Sequence, residues 1–177
     1  MPLRLSRRHL LHTLAAAALP VRAGGSNSQL PDLGAAPEFA GIERWLNSEP
    51  LTMRGLRGRV VLVDFWTFGC INCQRTMPYV NAWAERYTPQ GLTIVGVHTP
   101  EFPLEHPVDK LLSAMKRQGI RHPVAQDNDW ATWKAYGNQY WPAFYLVDAR
   151  GRIRYKRFGE GEYERTEGAI RTLLAQR

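Results

Sequence analysis

Val63-Asp64-Phe65-Trp66-Thr67-Phe68-Gly69-Cys70-Ile71-Asn72-Cys73 joins a β-branched apolar run to two cysteines three positions apart. The run, residues 59–66 (RVVLVDFW), follows a Gly-rich turn and reads as a buried strand. Residues 72–87 contain one breaker, Pro78, and space Met77, Val80, Trp83, Ala84 and Tyr87 as one face of a helix. A strand therefore ends near Trp66, a short turn follows, and Cys70 arrives in the first turn of a helix. There the unpaired backbone N–H groups and the positive end of the dipole favour an anion. A thiolate so placed can have its pKa lowered from ~8.5 to between about 3.5 and 7.5. Cys73 lies one turn on, facing back toward Cys70 and less exposed. An exposed, acidic attacker and a recessed partner are what thiol–disulfide exchange requires.

These are the only two cysteines in 177 residues. A disulfide-dense scaffold is excluded, as is any all-cysteine zinc or iron–sulfur site needing four ligands. The pair is also a poor staple, since closing so short a loop constrains the unfolded chain by only ~2 kcal/mol. Chemistry explains it better than architecture.

Outward from this segment, residues 92–98 (LTIVGVH) form a second buried strand, so strand, helix and strand make a right-handed parallel βαβ unit. Residues 108–118 read as a second helix stopped by Gly119, and 123–126 as a short strand. Residues 129–136 read as a third helix, with Asp129 as its N-cap and Gly137 as its stop. Residues 143–148 and 152–158 flank a hairpin turn at Ala149-Arg150-Gly151, and 162–175 close the chain as a helix. The sum is one three-layer α/β/α domain with a mixed central sheet, occupying residues 37–177.

The formal charge of +7 is misleading. Arg4, Arg7, Arg8 and Arg22 fall in the first 23 residues, which hold no acid; of 23 basic residues this leaves 19 against 16 acidic ones. Nucleic-acid binding loses its main support. Paired arginines, the apolar run 10–19 and Val21-Arg22-Ala23 make residues 1–23 an export signal of twin-arginine type, addressed to the periplasm. The run is too short to cross ~30 Å of hydrocarbon, which takes about 20 residues; an uncleaved anchor or a basic amphipathic helix is the alternative. Residues 24–36, rich in Gly, Ser, Asn and Pro, read as a flexible lead-in.

The cysteine segment resembles the thioredoxin superfamily, with its aromatic strand end and Cys-x-x-Cys. More narrowly it is similar to the exported TlpA-like branch and to the thioredoxin-like domain of DipZ-type proteins. Three stretches carry this likeness in order: Trp-Thr-Phe-Gly-Cys-Ile-Asn-Cys at 66–73, His-Thr-Pro-Glu-Phe at 98–102 and Gly-Asn-Gln-Tyr-Trp-Pro-Ala at 137–143. The resemblance implies a thioredoxin-like fold, with Cys70 attacking and Cys73 resolving through a redox-active disulfide. It matches Pro142 to a proline preceded by a cis bond, beside which the Trp141 backbone would pair with an extended substrate. Pro78 matches a proline that kinks the active-site helix. It also implies protein disulfide or dithiol substrates and a membrane thiol transporter as electron donor. No flavin or nicotinamide motif is present to supply electrons within the chain, and no cofactor or metal is expected.

Asp64, between the core residues Val63 and Phe65, would be a buried carboxylate with a raised pKa, suited to accept the proton of Cys73. The resemblance proposes that role for it, and a tuning role for a glutamate near Glu101; a solvated or capping aspartate and an exposed loop acid are the plainer readings. Trp66 and Trp141, with Tyr140, are expected to wall a substrate groove, and Trp83, Trp130 and Trp133 to pack in the core. His98 reads as a strand-end histidine satisfied by local hydrogen bonds. Two rival chemistries stay open at this level: a Cu(I) chaperone using Cys70, Cys73 and His98 or His106, and a thiol peroxidase in which Thr67 precedes a single reactive cysteine.

Overall fold

A computed structural model describes residues 29–177. The expected export signal, and the lead-in up to residue 28, lie outside the described residues. A six-stranded sheet organises the rest: β1 (Arg44–Leu46), β2 (Val60–Trp66), β3 (Leu92–His98), β4 (Val124–Gln126), β5 (Ala143–Val147) and β6 (Ile153–Phe158), in the order β1-β4-β3-β2-β5-β6. Pairings β2–β3 and β3–β4 are parallel, and β1–β4, β2–β5 and β5–β6 antiparallel, so the sheet is mixed as expected. Four helices accompany it: α1 (Ile71–Tyr87), α2 (Val108–Gln118), α3 (Ala131–Ala135) and α4 (Tyr163–Ala175).

Side-chain alternation along the strands sorts the core into two clusters. Val60, Leu62 and Trp66 of β2 meet Met77, Val80 and Trp83 of α1, Leu111 and Met115 of α2, and Ile170 and Leu173 of α4. On the opposite face Val61, Val63 and Phe65 meet Trp133 in the middle of α3 and Tyr136 just past its end, together with Met53 and Leu56. Helices α1 and α2 share a face because successive right-handed crossovers run in one direction along the sheet. β2 is the central strand, buried along its whole length, and its C-terminal end delivers the cysteine segment.

The structure corrects the sequence reading in three places. β1, only Arg-Trp-Leu, was not expected; it exists because it pairs with β4, from Arg44 opposite Gln126 to Leu46 opposite Val124. α3 is shorter than expected and is not capped by Asp129. Buried Asp127 instead accepts from the Thr132 and Trp133 N–H groups at 3.1 and 2.9 Å and from the Thr99 hydroxyl at 3.2 Å. Residues 33–36, placed in a flexible lead-in, run along β6: Leu33 N–H and Ala36 N–H donate to the Ile153 and Gly151 carbonyls, and Ile153 N–H donates to Gly34.

Candidate active site

Helix α1 begins at Ile71, so Cys70 is the N-cap residue itself, one position earlier than expected. Its backbone is extended (φ −77°, ψ 115°) and its Sγ accepts the Cys73 N–H at 3.2 Å, satisfying a donor that the first turn would leave free. There is no acidic residue in that turn. Cys70 is half-buried and Cys73 buried, and both are free thiols. The hydrogen bond from the Cys73 side chain, outweighing partial burial, and backbone N–H groups of Cys73 and Asn72 bring the Cys70 thiol down to about 7. Glu101 acts in the opposite direction on the same thiol. Burial pushes the Cys73 thiol well above its ordinary value, helped by its hydrogen bond to Cys70 and by the charge of Cys70. The two thiols thus differ in both exposure and acidity.

Asp64 lies on the α1 side of β2, since it alternates with Val63 and Phe65 of the opposite cluster. It is 1% exposed, and neither carboxylate oxygen has a hydrogen-bond partner among the described residues. Burial, then the charge of Cys70, raises its pKa to about 8. The group is therefore largely protonated at neutral pH and sensitive to the charge on the cysteines.

β3 ends level with β2, Trp66 opposite His98, so the following loop reaches the same end of the sheet. Glu101 is exposed there and donates its backbone N–H to Glu105 at 2.6 Å. Glu105, absent from the sequence reading, is fully buried and also accepts from Gly69 and Phe102. A signal for it existed: a glutamate three positions past the residue before Pro103 has the spacing at which a side chain returns to the start of a helical turn.

His98 is buried, stacked on Phe68 with centroids 5.4 Å apart, and its Nε2 lies 3.3 Å from the Thr67 hydroxyl. Burial lowers its pKa to about 4, so it is neutral at physiological pH. Thr67 is thus engaged with His98, and among the described residues no three His, Cys, Asp or Glu side chains form a metal-holding group.

Trp66 is corrected outright. It is completely buried, on the same face as Val60 and Leu62, and packs over Gly96, whose added Cβ would come within 2.8 Å of the indole nitrogen. It is a core residue and no client can touch it. Trp141 is half-buried, donates its indole N–H to the Thr99 carbonyl at 3.1 Å and packs on Trp133 at 4.2 Å. The Trp141–Pro142 bond is cis. Tyr140 is exposed against Phe158, while Ile71, Phe102 and Leu104 are also exposed. Trp83 and Trp133 are buried as expected, and Trp130 packs at the edge of the α3 cluster.

Known proteins resemble this chain in sequence and in fold. The Redoxin family model matches residues 32–174. The DipZ protein of Mycobacterium tuberculosis is 47% identical over 150 residues, which are 83% of this chain but 22% of that much longer protein. The thiol-disulfide oxidoreductase YkuV of Bacillus subtilis is 30% identical over 140 residues, 79% of this chain and 94% of that one. The solution structure of a thioredoxin-like protein in its oxidised form superposes with a TM-score of 0.74 at 30% identity, covering 81% of this chain and 96% of the other.

Proposed function

The chain belongs to the Redoxin family of thioredoxin-like oxidoreductases, and from that premise we propose that it exchanges disulfides with protein substrates through Cys70 and Cys73. The observation that carries the reading is the contrast between the two thiols: one accessible and brought to about 7, the other buried and held protonated. In the reducing direction the Cys70 thiolate attacks a client disulfide, forming a mixed disulfide and releasing one client thiolate. Once the Cys70 thiolate is consumed in the mixed disulfide, its charge no longer holds the Asp64 proton in place; the ionised form of Asp64 then accepts the proton of Cys73, which attacks Cys70 Sγ. The second client thiolate leaves, the Cys70–Cys73 disulfide forms, and two electrons have passed to the client.

The exposed side chains of Ile71, Phe102, Leu104 and Tyr140 give the surroundings an apolar character that suits a polypeptide client. An extended segment beside Trp141 and Pro142 is the proposed mode of docking. The reducing direction, with a membrane thiol transporter as donor, follows from the resemblance to DipZ-type and TlpA-like proteins. Export under a twin-arginine signal at residues 1–23 belongs to the same reading; none of the helices among the described residues is long and apolar enough to cross a membrane.

The test is turnover. With a dithiol as electron source, the protein is expected to accelerate reduction of insulin disulfides, and Cys70→Ser to reduce the rate to background. Undiminished activity in Cys70→Ser would overturn the proposal.

A further inference from the structure

Three backbone N–H groups from two separate segments converge on the carboxylate of Glu105. Gly69, immediately before Cys70, donates to Oε1 at 2.7 Å. Glu101 and Phe102, in the loop after β3, donate to Oε2 at 2.6 and 2.9 Å. Both oxygens accept, so an ionised carboxylate is what the site fits; a protonated acid or an amide would turn a donor toward a donor at one end. Burial works against the charge, yet the hydrogen bonds from Phe102, Thr67, Glu101 and Gly69 more than offset it and hold the acid below its ordinary value.

The other side of the contact is equally specific. A Cβ on Gly69 would collide with Glu105 Oε1, and this glycine has no left-handed backbone to justify it otherwise. Directly after it the chain takes the extended conformation that makes Cys70 the helix cap and sets its Sγ on the Cys73 N–H. We propose that Glu105 is a positioning residue for the attacking thiol: its carboxylate anchors the Gly69–Cys70 turn to the loop after β3 and so keeps Cys70 Sγ on the helix N-terminus. The proposal rests on the reading of Cys70 as the attacker.

Position and charge predict opposite signs, which makes the idea testable. A carboxylate acting only as a nearby charge disfavours the thiolate, so neutralising it would lower the pKa of Cys70. A carboxylate that holds the thiol on the helix end raises that pKa when lost. The experiment is iodoacetamide alkylation across pH in the full-length protein with both cysteines, the Cys70 adduct being read by peptide mass spectrometry, comparing Glu105 with Glu105→Gln and, separately, Gly69→Ala. Each variant is expected to raise the apparent pKa by about one unit, roughly tenfold less thiolate at pH 6. Gly69→Ala displaces the carboxylate while leaving its charge in place, and it carries the test alone if Glu105→Gln does not fold. An unchanged or lowered pKa in the variants, beside an acidic Cys70 in the parent, overturns the role of Glu105 and leaves the exchange reading standing. A parent Cys70 that ionises at the ordinary value of ~8.5 overturns both.

Discussion

Asp64 shows what one residue contributes at a cost in stability. A carboxyl group without a hydrogen-bond partner in a packed sheet holds its proton to about 8, so in the proposed cycle it takes up a proton only from its ionised form, which grows when the Cys70 thiolate is consumed. The unfolded chain releases that proton near 3.8, whereas the folded protein keeps it to about 8. Stability is therefore whole below pH ~4 and falls as pH rises toward about 8, by on the order of 4 kcal/mol at pH 7 as an upper bound. Asp64→Asn is expected to flatten this fall, which urea unfolding at pH 5 and pH 8 would measure. The same decline in the variant would contradict the buried-acid assignment. Glu105 is the complementary case: equally buried, but satisfied by three backbone donors, with Thr67 contributing, and so retained as the anion.

At the scale of elements, β2, α1 and β3 were legible because their patterns are local: a β-branched run, a helical period and another β-branched run. Gly119 ends α2 with φ 67°, a conformation open to glycine, and that boundary was legible too. What escaped the sequence depends on distant partners. Nothing in Arg44-Trp45-Leu46 marks a strand until β4 lies beside it. Asp129 is the nearer capping type by rank and position, but it is exposed, while Asp127 reaches both the start of α3 and Thr99 after β3. Glu105 escaped because its role is set by Gly69, 36 positions away. Trp66 was misplaced although alternation from Val60 and Leu62 already assigned it to the core face. Asp127→Ala is expected to cost about 3 kcal/mol in urea unfolding, since buried N–H groups lose their acceptor. Asp129→Ala should stay within about 0.5 kcal/mol. Equal effects of the two substitutions would restore Asp129 as the cap.

Across the whole molecule, the sheet directs its chemistry to one end and protects an edge with the segment before the domain. β6 is one of the two edge strands, and residues 33–36 cover part of it through Leu33, Gly34 and Ala36, while Arg152 pairs with Asp32 at 3.0 Å. Arg154 reaches the Leu30 and Pro31 carbonyls and pairs with Asp148 at 2.9 Å. The folded unit thus starts several residues before Pro37. Elsewhere in the fold, the C-terminal end of β2, the loop after β3 and the cis Trp141–Pro142 bond bring Cys70, Glu105 and Trp141 within one neighbourhood. The most direct measurement of the central claim is covalent trapping. Cys73→Ser and Cys70→Ser proteins are each mixed with oxidised insulin, and the products are mapped by mass spectrometry without reductant. The account predicts a dithiothreitol-cleavable adduct at Cys70 in Cys73→Ser and none in Cys70→Ser; adducts of equal yield in both variants, or in neither, would contradict it.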